Sequence, residues 1–158
     1  GIGGDRQWVW KAFTRGLNPI FMDGYDGAGY GVGGARFEFG DPRWRSLRRN
    51  LGYARGYAER IDLAAMEPAP ERCSSEYCLV GVREARPELL VYSPGEGSVS
   101  LDLRESSGAF AVEWFSPETG GRVPGANVEG GEVRSLEPPF SGDVVLYVFP
   151  ISEDSRNP

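Results

Sequence analysis

The chain contains no histidine, and its cations are sixteen arginines against a single lysine, Lys11. Without imidazole, histidine general bases, Ser-His triads and histidine metal sites are excluded within these 158 residues. Carboxylates remain as the acid/base groups. Cysteine is scarce as well. Cys73 and Cys78 stand five apart, a spacing that matches no CxxC pattern and gives two ligands where zinc wants about four. They read as a loop thiol and a buried strand thiol, with a local disulfide as the alternative, so the redox compartment stays open. No apolar stretch reaches membrane-spanning length, which argues against a membrane partner. Long polar runs are missing too, and 40% hydrophobic and 12% aromatic residues fit a folded chain. The start, Gly1-Ile2-Gly3-Gly4, has neither an initiator Met nor a leader, and the chain reads as cut from something longer.

Net charge hides an asymmetry. Residues 1–66 carry ten Lys and Arg against seven Asp and Glu, whereas residues 67–158 carry seven against sixteen, giving +3 and −9 within the total of −6. A nucleic-acid binder concentrates positive charge on its contact face, and the larger part of this chain has the opposite sign. Nucleic acid is therefore discounted.

The first segment reads as a helix: Asp5 is placed to cap it, Trp8, Val9, Ala12 and Phe13 recur at helical spacing, and Gly16 supplies a left-handed stop. Ile20, Phe21 and Met22 show no polar alternation, the pattern of a parallel strand covered on both faces. Residues 23–41 form a glycine-rich loop of nineteen residues, long enough to suggest function. Asp41-Pro42 then restarts a helix, in which Trp44, Leu47, Leu51, Ala54, Ala58, Ile61 and Ala65 make one apolar stripe as far as Met66. Such a stripe needs a partner surface, and one strand with two helices offers too little of it. From residue 70 the period changes to two. Val99, Leu101 and Leu103 alternate with polar residues, as do Phe110, Val112 and Trp114, while VVLYVF at residues 144–149 is apolar on both faces like a central strand. With YCLVGV and ELLVY, six or more short strands between Gly, Pro and Ser turns predict a small antiparallel sandwich.

Several stretches carry candidate chemistry. Asp23 and Asp26 follow the apolar run in NPIFMDGYDG, where the carboxyl end of a parallel strand would form an active-site rim. Two Asp three apart in a loop are a weak signal for a glycosidase carboxylate pair, and turn or capping duty competes with a substrate hydrogen bond. Gly29, Gly31 and Gly34 match GxGxxG but do not link a strand directly to a helix, which argues against a dinucleotide. Arg43, Arg45, Arg48 and Arg49 crowd a positive helix start; with arginine the default base throughout, a solvated face outweighs an anion site. Trp8, Trp10, Trp114 and Phe115 could stack on sugar rings, but alternation puts Trp114 in the core and Phe115 at a contact with the helical part.

In order along the chain, WVWKAFTRGLNPIFMDGYDG, LGYARGYAERIDLAAMEP, YCLVG, VEWFSPETGG and PPFSGDVVLYV resemble the C-terminal part of bacterial apiosidase-like glycoside hydrolases. In that family a (β/α)8 barrel is followed by a β-sandwich named for collagen binding. The resemblance implies an α/β plus all-β organisation. Residues 1–67 would be the last helix-strand-helix portion of the barrel and residues 70–152 the sandwich, with residues 6–15 as the seventh helix and 20–22 as the eighth strand. It implies substrate-binding roles for Asp23, Tyr25 and Asp26, with Gly24 standing where the family often has Pro. The catalytic acid and nucleophile would lie on earlier strands, so no catalytic residue is assigned in this chain. The resemblance further implies plant-type glycans such as apiose-bearing side chains, cleavage without cofactor or metal, a secreted or periplasmic location, and a sandwich that caps the barrel. The alternative is a non-catalytic module whose sandwich recognises collagen or glycan, with the helical part as an adaptor.

Overall fold

A computed structural model describes residues 4–21, 42–81 and 86–151. The first helix, α1 (Arg6–Phe13), is capped as its sequence predicts: the Asp5 carboxylate accepts the Trp8 backbone N–H at 2.8 Å. It stops at Gly16, whose φ of +75° is the left-handed conformation glycine adopts at least cost. Pro68 also sits so close that a Cβ there would lie 3.0 Å from its Cγ.

The predicted strand at residues 20–22 does not form at its two described positions. Ile20 is 75% exposed, and Phe21 rests on Trp44 with ring centroids 5.3 Å apart. No parallel pair exists among the described residues, so the run lacks the neighbours a buried parallel strand requires. A 3-10 turn (Pro42–Trp44) leads into α2 (Arg45–Ala58), which ends eight residues before Met66, the predicted limit of the helical stripe. Beyond Ala58 the apolar spacing continues but the backbone leaves the helix. Asp62 accepts the Ala64 N–H at 3.2 Å and caps a separate 3-10 turn, an example of a short polar side chain competing with helix.

Nine strands follow among the described residues: β1 (Met66–Pro68), β2 (Cys78–Gly81), β3 (Leu89–Ser93), β4 (Val99–Asp102), β5 (Ala109–Phe115), β6 (Arg122–Pro124), β7 (Val128–Glu129), β8 (Val133–Leu136) and β9 (Val144–Pro150). All pairs are antiparallel. The larger sheet runs β1-β2-β3-β9-β5-β6, with β7 also on β5, and β4 pairs with β8 in a second, two-stranded sheet. VVLYVF is thus the central strand its composition suggests, between β3 and β5.

Alternation along the central strands sorts their side chains onto two faces. Val80, Leu89, Val91, Phe110, Val112, Trp114, Val144, Leu146 and Val148 point towards the small sheet, and pack with Val99 and Leu101 of β4 and with Leu103 just beyond it. Leu79, Leu90, Tyr92, Phe115, Val145 and Tyr147 point the other way, onto Val9, Trp10 and Phe13 of α1, Leu47, Ala54 and Tyr57 of α2, and Ile61. The molecule is therefore three layers deep: helices, large sheet, small sheet. The surface that the stripe needs is supplied by the chain itself, contrary to the expectation that it lies elsewhere. Trp114 is buried on the small-sheet side, and Phe115 on the helix side, where the sequence places it.

Cys73 and Cys78 form a disulfide with Cα atoms 6.3 Å apart, so the free-thiol reading gives way to the local bridge. The bridge closes the turn into β2, and Glu76 within it takes a left-handed φ of 65°.

Trp10 is the hub of the helix-side core. Its ring is fully buried among Phe13, Tyr57, Tyr92 and Phe115, with centroids 5.7 to 6.4 Å away. Its indole N–H donates to Asn50 Oδ1 at 2.8 Å, and Asn50 Nδ2 donates to the carbonyls of Ser46 and Pro117, tying α1, α2 and the turn after β5 together. Trp10→Ala leaves a cavity and an unpaired buried amide, and a loss of about 3–5 kcal/mol in urea unfolding is expected. A loss below about 1 kcal/mol would contradict this packing.

Candidate functional site

Asp23, Tyr25 and Asp26, the residues expected at a sugar-facing rim, lie outside the described residues, as do the glycines of the GxGxxG match. The structure places the flanks of that segment. Phe21 and Trp44 meet at its two ends, both half-buried against the helix-side core. Of the arginine cluster at the start of α2, Arg45 and Arg49 are exposed, and Arg49 donates to the Tyr53 hydroxyl at 3.1 Å.

Two ionic clusters that the sequence reading did not single out join the layers. On β5, Glu113 occupies an alternate position to Val112 and Trp114, and so faces the helices. Its carboxylate accepts the Tyr57 hydroxyl at 2.8 Å and both arms of the Arg60 guanidinium at 2.7 and 3.1 Å. Arg60 and Arg122 both lie over the Tyr57 ring, 5.1 and 5.3 Å from its centroid. Burial pushes the Glu113 carboxyl up, but the Arg60 and Tyr57 hydrogen bonds outweigh it and hold the group below the ordinary carboxylate range. In the second cluster the buried Asp143 accepts Arg6 Nη2 at 2.8 Å and the Tyr92 hydroxyl at 3.1 Å, linking α1 to the start of β9 and to β3. The alternation of β5 could have revealed Glu113 as the polar member of its face. Nothing local marks Arg6 and Asp143, which stand 137 residues apart.

Both clusters join the helices to the large sheet. The shifted carboxylates among the described residues, Glu113 and Asp102, both move down. Asp102 does so through hydrogen bonds from Arg104 on the surface. Among the described residues, no group of three or more Cys, Asp or Glu is arranged to hold a metal ion, and no helix is long and apolar enough to cross a membrane. Two grooves remain. One of about 310 Å³ lies between the start of α1 and Ser46, and one of about 350 Å³ opens at the β1 edge of the large sheet.

Burial raises the hydroxyl pKa of Tyr57, Tyr92 and Tyr147 well above the usual value, and hydrogen bonds or charge from Glu113, Asp143 and Glu88 reinforce it. In the unfolded chain these groups release protons near pH 10, whereas the folded chain holds them. Their contribution is complete below about pH 10 and is lost as pH climbs towards the raised folded values. The urea midpoint should therefore stay level to about pH 9.5 and fall steeply above about pH 10, with tyrosinate absorbance rising as the chain unfolds. Full tyrosine ionisation while the fold persists would contradict the burial of these three hydroxyls.

No protein-family profile and no curated protein sequence matches this chain. Solved structures do. A glycoside hydrolase superimposes with a TM-score of 0.57 at 18% identity, covering 81% of this chain and 31% of its own. A family 5 glycoside hydrolase from Bacteroides vulgatus ATCC 8482 superimposes with a TM-score of 0.63 at 19% identity, covering 96% of this chain and 37% of its own. The chain spans about a third of the length of each, and what it shares with these glycoside hydrolases is a fold that takes in both the helical layer and the sheets.

Proposed function

We propose that this chain is the C-terminal portion of a carbohydrate-active, glycoside hydrolase-like protein, in which α1 and α2 belong to the end of a (β/α)8 barrel and the β-sandwich caps it. The observation that carries the proposal is the likeness to glycoside hydrolases over 81% and 96% of this chain but only 31% and 37% of theirs. The helix-side core packs α1 and α2 against the sandwich sheet, so residues 1–67 and 70–152 share a single set of packed side chains.

On this reading Asp23, Tyr25 and Asp26 stand in the loop after the last barrel strand and hydrogen-bond a sugar. The catalytic acid and its partner carboxylate come from earlier strands and cleave the glycosidic bond by general acid/base chemistry. Plant-type glycans with apiose-bearing side chains are the proposed substrate. A secreted or periplasmic location fits the Cys73–Cys78 disulfide, since such bonds persist in oxidising compartments.

The test is hydrolysis by the longer protein. Asp23→Asn should lower kcat/KM on the cleaved glycan by roughly 10–100-fold, the worth of a hydrogen bond to a charged group, without moving the thermal midpoint. Unchanged kcat/KM would remove Asp23 from the site. The 158-residue chain alone should hydrolyse no glycoside; turnover by it, lost on Asp23→Asn, would overturn the assignment of catalysis to earlier strands. Binding of collagen by the chain in place of glycan would replace the capping role with that of a binding module.

A further inference from the structure

The short turn at residues 73–78 reaches all three layers. At its start Cys73 bridges to Leu101, the Ser74 N–H donates to the Ser100 carbonyl at 3.0 Å, and the Ser100 N–H donates to Ser74 Oγ at 3.0 Å, so the turn pairs with β4 of the small sheet. At its end Cys78 opens β2, opposite Val91 of the large sheet. Between the two, Tyr77 faces the helices. Its ring meets Tyr92 with centroids 6.1 Å apart, and the Arg15 guanidinium, just beyond α1, lies 4.6 Å from its centroid. Both cysteines are buried in the core between the sheets, whereas Ser74 and Glu76 are exposed.

The disulfide closes a ring with a sequence separation of only 5. Loop-closure entropy makes so short a bridge worth roughly 40-fold in the unfolding equilibrium, against about 3,000-fold for a ring of about 100 residues. Small domains favour the folded state by roughly a thousandfold to a hundred-millionfold, so the fold survives without the bridge. Its main effect is local.

We propose that the 73–78 turn is a redox-sensitive clasp. Closed by the disulfide, it fastens the small sheet and the end of α1 to β2; opened by a dithiol reductant, it releases the pairing with β4 and the Tyr77–Arg15 contact while the large sheet stays paired. Cys73 is 8% exposed and Cys78 1%, so a thiolate of the reductant attacks Cys73 Sγ, the S–S bond breaks, and Cys78 leaves as a thiolate and takes a proton. The second thiolate of the reductant then attacks the reductant's own sulfur in the mixed disulfide and expels Cys73. Two electrons and two protons pass to the bridge, and the dithiol becomes a cyclic disulfide. Ser75 assists the opening. Its hydroxyl accepts the Tyr77 N–H at 3.4 Å and donates to Cys73 Sγ at 3.4 Å, where it stabilises the departing thiolate.

The test is amide hydrogen exchange by NMR on the isotopically labelled 158-residue chain, oxidised and after dithiothreitol, with the double variant Cys73→Ser/Cys78→Ser as a permanently open form. On reduction the Ser74 and Ser100 amides should lose at least about tenfold in protection, and the Arg15 and Tyr77 resonances should shift. Amides of β5 and β9 should keep their native shifts and exchange no more than roughly 40-fold faster. Reoxidation should restore the first pattern, and the double variant should show the reduced pattern with or without reductant. Unchanged protection at Ser74 and Ser100 would overturn the clasp. So would loss of the native β5 and β9 shifts on reduction or in the double variant, since the bridge would then hold the whole fold rather than one turn.

Discussion

A sheet that is apolar on both faces must be covered on both, and this constraint organises the whole chain. Along β9 the residues Val144, Leu146 and Val148 face one way and Val145 and Tyr147 the other, all of them buried. Two-stranded β4-β8 covers the first face. The second would expose Leu79, Leu90, Tyr92, Phe115 and Tyr147 to water were α1 and α2 not laid across it. Each such side chain, fully buried, contributes roughly 1.5–3 kcal/mol, so neither the helices nor the large sheet is complete without the other. The ionic clusters follow from the same arrangement. Arg6 reaches Asp143 and Arg60 reaches Glu113 across the layer boundary, where partial burial makes the pairs specific and makes the loss of either partner costly.

The same constraint bears on function. Among the described carboxylates, Glu113 and Asp143 join the helices to the large sheet, and Glu113 is held in its charged form. The described part of the molecule carries a groove at its sheet edge, and Phe21 and Trp44, on either side of the segment containing Asp23, meet against the helix-side core.

Local signals in the sequence were read well where one residue decides the outcome. Asp5 caps α1, Gly16 ends it, and the period-two runs at Val99–Leu103 and Phe110–Trp114 identify strand faces. What could not be read locally was which surfaces meet. The stripe of α2 is visible, yet nothing near it indicates that its partner is a sheet some 20 to 100 residues further on. Ile61 and Ala65 continue the helical spacing although Asp62 has already diverted the backbone, because periodicity records burial and not hydrogen bonding. The Cys73–Cys78 bridge depends on how close the turn brings the two residues, which five-residue spacing leaves undecided. Asp23 and Asp26, marked by the carboxylates that follow an apolar run, and Tyr25, added by the resemblance, fall outside the described residues.

The central claim is that helices and sheet share one core. It is tested most directly by following urea unfolding of the 158-residue chain with probes of each layer: helical far-UV ellipticity for α1 and α2, and backbone amide NMR signals of β3, β5 and β9 for the sheet. One coincident transition by both probes is the predicted result. Helical signal lost in a separate, earlier transition, with the amide signals of β3, β5 and β9 undisturbed, would contradict it.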